Sequence, residues 1–223
     1  MKTRARAAVI LVIACLCACT SSTNAVFQTA QFVLRRDAAT ATAVLNPDFR
    51  YLRATNDGRV ALLVLGYVEP QADGPIQVWY SAEREVLRLQ NGRIVGAVGL
   101  TTEWRNVTLE GPAPWSSLKN SAQPSQWIRV RDVMPGYRFG VRDVVSLRVI
   151  SPPARNALQD LDPERLAWFE ERVRENYLPP ARYGVAFEDG AETVVYSEQC
   201  LAPKLCVTLQ RWPAVPQSAK NSR

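Results

Sequence analysis

The chain has 223 residues, 47% of them hydrophobic and 22% charged, with a formal net charge of +6 and no histidine. That length is enough for one domain with a real core. The missing histidine excludes Ser-His-Asp and Cys-His catalysis, imidazole general bases and nearly all common zinc sites. Dinucleotide, P-loop and nucleophile-elbow motifs are absent as well, so a hydrolase would have to run on carboxylates alone. Neither a cofactor nor a metal is expected, and the chain reads as a non-enzyme.

Met1 to Ser22 reads as an export leader. Lys2, Arg4 and Arg6 form a basic start, Ala7 to Leu16 an apolar run, and Leu16-Cys17-Ala18-Cys19 leads into Thr20-Ser21-Ser22. The apolar run falls short of the roughly 20 residues a membrane-spanning helix needs. A cysteine at the cleavage point resembles the lipobox of bacterial lipoproteins, with Cys19 as the lipidated residue. Val12-Ile13-Ala14-Cys15 is a weaker competing box, and an ordinary secretory signal with incidental cysteines is the plainer alternative. The lipoprotein resemblance implies a diacylglycerol thioether, usually with an N-acyl chain, and two acyl signals suffice for stable anchoring. Under the same resemblance, Thr20 rather than an aspartate after the cysteine implies the periplasmic face of the outer membrane. Loss of Lys2, Arg4 and Arg6 with the leader leaves a net charge of +3. The basic isoelectric point is then poor support for a nucleic-acid partner, and none is expected.

The organisation expected is a signal peptide over 1–18, a lipidated tether over 19–25, one mostly antiparallel β domain over 26–215 and a flexible tail over 216–223. From Val26 to Ala39 the apolar residues fall at helical spacing, which predicts a short amphipathic helix. Strands follow at Tyr51 to Thr55 and Arg59 to Val68, around the turn signal Asn56-Asp57-Gly58. The second of these is apolar without alternation from Val60 to Leu65, so it must be covered on both faces. Ile76 to Ser81 is the next strand. Val86 to Gln90 and Arg93 to Val98 flank Asn91-Gly92, a two-residue hairpin that puts Leu87, Leu89, Ile94 and Val98 on one face and Arg88, Gln90 and Arg93 on the other.

Trp104 to Leu109 is a strand, and Gly111 to Ser125 a loop. Trp127 to Val133 and Tyr137 to Ile150 flank Met134-Pro135-Gly136. In the longer strand Tyr137, Phe139, Val141, Val145, Leu147 and Val149 share one parity, with Arg138, Arg142, Ser146 and Arg148 on the other. Asp143 breaches the pattern and suggests a bulge. Asp162-Pro163 reads as a helix start, with Leu166, Phe169, Val173 and Tyr177 on one helical face as far as Pro179. Tyr183 to Glu188, Thr193 to Ser197 and Cys206 to Arg211 complete the β pattern. The fold class is mainly β, a single antiparallel sheet closed as a barrel or packed as a sandwich, with about ten strands and two short helices.

Several segments together resemble the YjbF/GfcB family, the group 4 capsule polysaccharide lipoproteins of Gram-negative bacteria. They are the lipobox, Gly58-Arg59 leading to Leu65-Gly66-Tyr67, Trp79-Tyr80-Ser81, the hairpin Val86 to Val95 with Gly99-Leu100, and Ser197-Glu198-Gln199 with Leu201 and Pro203. The resemblance runs from the leader to about residue 210. It implies a role in production or export of capsule or exopolysaccharide, and it transfers no catalytic residue. Cys200 and Cys206 depart from the family's usual pattern.

Candidate sites follow from the residues. Cys200 and Cys206, an even pair in an exported chain, suit a disulfide, the alternatives being two free thiols or a metal site. Gln77, Trp79 and Ser81 share a parity on which Trp79 could stack on a sugar ring, and the competing reading makes Trp79 core. Arg129, Arg131, Arg138, Arg142 and Arg148 could form an anion-binding face for an acidic polysaccharide, or a solvated face balanced by neighbouring acids. Glu83, Glu85, Glu103 and Glu198 are the carboxylates nearest the family-like motifs; a hydrolytic pair among them would have to meet a defined separation. The functional expectation is a non-catalytic accessory in polysaccharide production or export. The alternatives are a carboxylate-based glycan hydrolase or lyase, and a structural partner of an outer-membrane export or barrel protein.

Overall fold

Alternating sequences joined by tight turns dictate an antiparallel meander, and the computed structural model shows one that closes on itself. It describes residues 45–121 and 123–214. The leader, Cys19, the helix expected over 26–39 and the tail over 216–223 lie outside that range. Twelve strands follow one another around the wall: β1 Tyr51–Asn56, β2 Arg59–Glu69, β3 Ile76–Tyr80, β4 Val86–Gln90, β5 Arg93–Val98, β6 Glu103–Glu110, β7 Ser125–Met134, β8 Arg138–Ile150, β9 Ala167–Val173, β10 Ala181–Glu188, β11 Ala191–Ala202 and β12 Leu205–Trp212. Each pairs with its sequence neighbours, and β1 pairs with β12 (Tyr51↔Trp212 to Thr55↔Thr208), so the sheet has no free edge.

Three of the hairpin turns are made by residues that tolerate positive φ. Asp57-Gly58 (46°, 76°), Asn91-Gly92 (48°, 81°) and Asp189-Gly190 (49°, 77°) each have both central residues in the left-handed region, which gives a hairpin turn the twist of its flanking strands.

A twelve-stranded barrel is wider than the eight-stranded kind that ordinary aliphatic side chains fill. Bulky residues close the gap: Trp79, Trp104, Trp115, Trp127 and Phe169 all belong to the buried core, with Leu63, Leu87, Leu89 and Leu147 between them. The outer wall carries Arg88, Arg142, Arg148, Arg172 and Arg182, each in an ion pair, which suits water rather than lipid. Chain segments cover two apolar parts of the outer wall. Leu45 packs with Tyr51 and Leu62, so β2 is covered on both faces, as its unbroken apolar run requires. Residues 157–163 lie over Trp168, Tyr196 and Gln210, with Ala157 N–H donating to Tyr196 Oη (2.8 Å) and Gln210 exchanging two bonds with the Gln159 backbone.

The structure corrects four sequence expectations. The helix expected from Asp162 is a single 3-10 turn, Pro163–Arg165, followed by strand β9. Asp162 does cap the turn, accepting from Glu164 N–H (3.0 Å). Beyond it the true period is two: Phe169, Glu171 and Val173 face inward, and a buried charge at Glu171 disguised the alternation. Second, the 111–125 loop contains a four-residue helix, α1 Trp115–Leu118, whose Trp115 and Leu118 are buried. Third, β4 and β5 shift register between Arg88 and Leu89, so Leu87 pairs with Ala97 rather than Gly96, and Val98, opposite Val86, leaves the Leu87 face and is 38% exposed. Fourth, Asp143 makes no bulge. It stays in register opposite Arg129, and the irregularity between β7 and β8 falls at Arg131/Val133.

Candidate functional site

Two charged residues placed among inward apolar ones, Glu171 on β9 and Asp143 on β8, organise the barrel interior. Glu171 accepts from Arg93 Nε (2.8 Å) and from the Tyr183 hydroxyl (2.9 Å). The Arg93 and Glu171 side chains are only 4% and 3% exposed. Arg93 lies 3.9 Å from the Trp115 ring centroid and 5.4 Å from that of Trp127, so its planar cation is sheathed by aromatic faces. Burial, then the Glu171 charge, pushes the Tyr183 hydroxyl well above its ordinary pKa, which keeps it a donor.

Arg93 reaches this position because β5 turns inward. Within the described residues β5 pairs with β6 in register at Ala97↔Trp104. The β5 backbone that β6 leaves uncovered is taken up by the Gln199 side chain, which accepts from Ile94 N–H (2.9 Å) and donates to Gly92 O (2.9 Å). Gln199 thus stands in for a neighbouring strand, joining residues more than a hundred positions apart. At the adjoining turn a Cβ on Gly92 would overlap Val194, so the hairpin tip packs against the opposite wall only with glycine there. Arg93, expected on a solvent face with Arg88 and Gln90, is therefore an interior residue.

The second interior centre lies around Asp143. It pairs with Arg131 and with Arg129 (2.8 Å), and the Tyr177 hydroxyl bonds to both Asp143 and Arg131. Arg129 and Arg131 lie 4.4 and 4.5 Å from the Trp104 ring centroid. Burial lowers the Arg131 pKa, and the neighbouring Arg129 charge adds to the shift. A small cavity of mixed polar and apolar lining lies between the two centres, bounded in part by Trp104, Arg129, Glu171, Val173 and Gln199.

On the outer wall the cross-strand partners Arg148↔Glu170↔Arg182↔Glu198 run around β8 to β11. Glu170 accepts from Arg148 (2.7 Å) and Arg172 (2.7 Å), with Arg182 at 3.8 Å. Burial would raise the Glu170 pKa, but the bonds from Arg172 and Arg148 outweigh it and hold the carboxyl below its usual range. This ladder is the sheet counterpart of helical charge pairing, with opposite charges facing across the strands.

The expected anion-binding face does not form as one surface. Arg129 and Arg131 lie inside, bound to Asp143. Arg142 and Arg148 lie outside, bound to Glu110 and Glu170, and Arg138 is exposed. The period-2 pattern holds, but residues on the two strands of a hairpin share a face only when their register matches. Trp79 is 3% exposed and sits in the core, so it cannot stack on a sugar. Gln77 is half-buried, and Ser81 is buried with its hydroxyl accepting from Glu85 N–H (3.1 Å). The carboxylates stand apart in their bonding: Glu103 holds Gly99 N–H and Arg105, while Glu198 holds the Tyr196 hydroxyl and Arg182. Glu83 is exposed and Glu85 half-buried. Cys200 and Cys206 face each other across β11 and β12 and are joined by a disulfide (S–S 2.04 Å). Among the described residues no three Asp, Glu or Cys side chains gather as metal ligands would. Sequence reasoning missed Glu171 and Gln199 as organising residues; an acid inside an inward row, as Asp143 also is, was the available signal.

A meander barrel with a packed core and a charged outer wall defines the class, a closed antiparallel β-barrel domain. The sequence profile described as "Group 4 capsule polysaccharide lipoprotein gfcB, YjbF" matches residues 23–211, and the chain belongs to that YjbF family. Among solved structures it is similar to the hypothetical lipoprotein YmcC from Escherichia coli (K12), at 20% identity and a TM-score of 0.59, covering 88% of this chain and 98% of that one. That likeness concerns the fold. No curated protein matches the chain.

Proposed function

We propose that this protein is a lipoprotein anchored through Cys19 at the periplasmic face of the outer membrane, where it serves as a non-catalytic accessory in capsule or exopolysaccharide production or export. The observation that carries this reading is the family match, which begins just behind Cys19 and continues into the last strand. The interior supports it. Arg93, Glu171, Arg131 and Asp143 pair with one another within the filled lumen, so contacts with glycan or an export protein fall to the outer surface. Two experiments test the reading. A clean deletion should reduce surface polysaccharide under inducing conditions, and normal polysaccharide would remove the proposed role. Cys19→Ser should release the protein from the membrane fraction; unchanged processing and retention would remove the anchor.

A further inference from the structure

The outer wall carries a pair of tyrosines that strict strand alternation would not have placed together. Leu65 pairs with Trp79 and faces the core, so unbroken alternation would also turn Tyr67 inward. The register instead shifts at Gly66, and Tyr67 pairs with Val78 and points outward. Tyr80, opposite Val64, emerges on the same side. Tyr67 is 50% exposed and Tyr80 40%, and their ring centroids lie 6.4 Å apart with planes inclined at 39°.

Gly66 has a second part in this arrangement. A Cβ there would overlap the Tyr80 ring, so that ring lies directly against the Gly66 backbone while Tyr80 stays substantially exposed. The neighbouring Tyr80 raises the Tyr67 pKa, and the Glu69 carboxylate adds to the effect. Glu69 is itself paired with Arg88, whose side chain is 40% exposed. Two apolar ring faces thus stand beside hydroxyls, a carboxylate and a guanidinium.

We propose that Tyr67 and Tyr80 form a glycan-stacking platform on the barrel wall, with Glu69 and Arg88 as its polar rim. The exposed C–H face of a pyranose is apolar and its edge is ringed with hydroxyls, so it matches a ring face bordered by donors and acceptors. The separation of the two rings is comparable to the step between neighbouring sugars in a chain. The small polar-rimmed surface does not suit insertion into lipid, which needs a broad apolar face. This deepens the proposed role, on which it rests only in taking the cell's own polysaccharide as ligand.

The test uses purified full-length protein and exopolysaccharide isolated from the cells that make it, with binding followed by calorimetry. Wild type should bind. Tyr67→Ala should weaken binding several-fold, and the Tyr67→Ala/Tyr80→Ala pair about tenfold or more, about 1.4 kcal/mol on conversion. Tyr67→Phe, which keeps the ring, should retain most of the affinity, a rescue that loss of fold would not show. Tyr67→Ala also removes the more exposed ring, so its melting curve should stay close to wild type. Failure of wild type to bind, or full affinity in the double variant, overturns the platform. So does binding abolished by Arg148→Glu/Arg172→Glu but untouched by the tyrosine changes. None of these results bears on the deletion phenotype, so the accessory role stands or falls separately.

Discussion

Arg93 and Glu171 meet inside the barrel with Nε and Oε1 2.8 Å apart, although 78 positions separate them in the chain. One comes from the β4–β5 hairpin, the other from a strand whose adjacent residues Glu170 and Arg172 lie on the outer wall. Their pairing fixes β5 against β9, which pair with each other nowhere in the sheet. Both side chains are almost fully buried, so each charge depends on the other.

Removing one partner should therefore cost more than removing both. Glu171→Gln leaves the Arg93 cation buried without its counter-charge and should destabilise the fold by about 3–5 kcal/mol. Arg93→Met/Glu171→Leu should recover much of that loss. Urea unfolding of the two variants checks this; a double variant no more stable than Glu171→Gln would contradict it.

Acid should weaken the outer ladder through Glu170. Its folded pKa lies below the ordinary 4.5, so the unfolded chain binds the proton more readily. The stability it contributes is complete above that ordinary value and is lost as pH falls through the folded one. Melting temperatures taken from about pH 7 to about pH 3 should fall for wild type in the acid limb, and Glu170→Gln should flatten part of that fall. Identical acid limbs for the two proteins would remove Glu170 from the effect.

The Cys200–Cys206 bridge closes a short loop at the β11–β12 turn. Cys200→Ser/Cys206→Ser should cost roughly 2 kcal/mol on the chain-entropy account and leave the fold in place, because the flanking strands pair over most of their length without it. Mass spectrometry of the non-reduced protein should find neither thiol alkylatable. Two alkylated cysteines at these positions would refute the bridge.

Most of the wall was legible in the sequence. The Asn-Gly and Asp-Gly turns, the alternation of β8 and the two-sided apolar run of β2 determined where strands lie and that they run antiparallel, because turn chemistry and side-chain period are local properties. The closure of the sheet was not legible. It depends on β1 meeting β12, a contact between the ends of the described chain that no local pattern encodes. The content of the lumen was equally a tertiary decision. Trp115 lies in a stretch that reads as loop, and only the width of a twelve-stranded barrel gives it a place to bury. Arg93 and Glu171 become interior because each meets its partner from a distant strand, while Asp143 is offset by Arg129 and Arg131 on the adjoining strand. The same limit governed the aromatic residues. Alternation put Trp79 and Tyr80 on opposite faces, but which face was the inside depended on the direction in which the sheet curled.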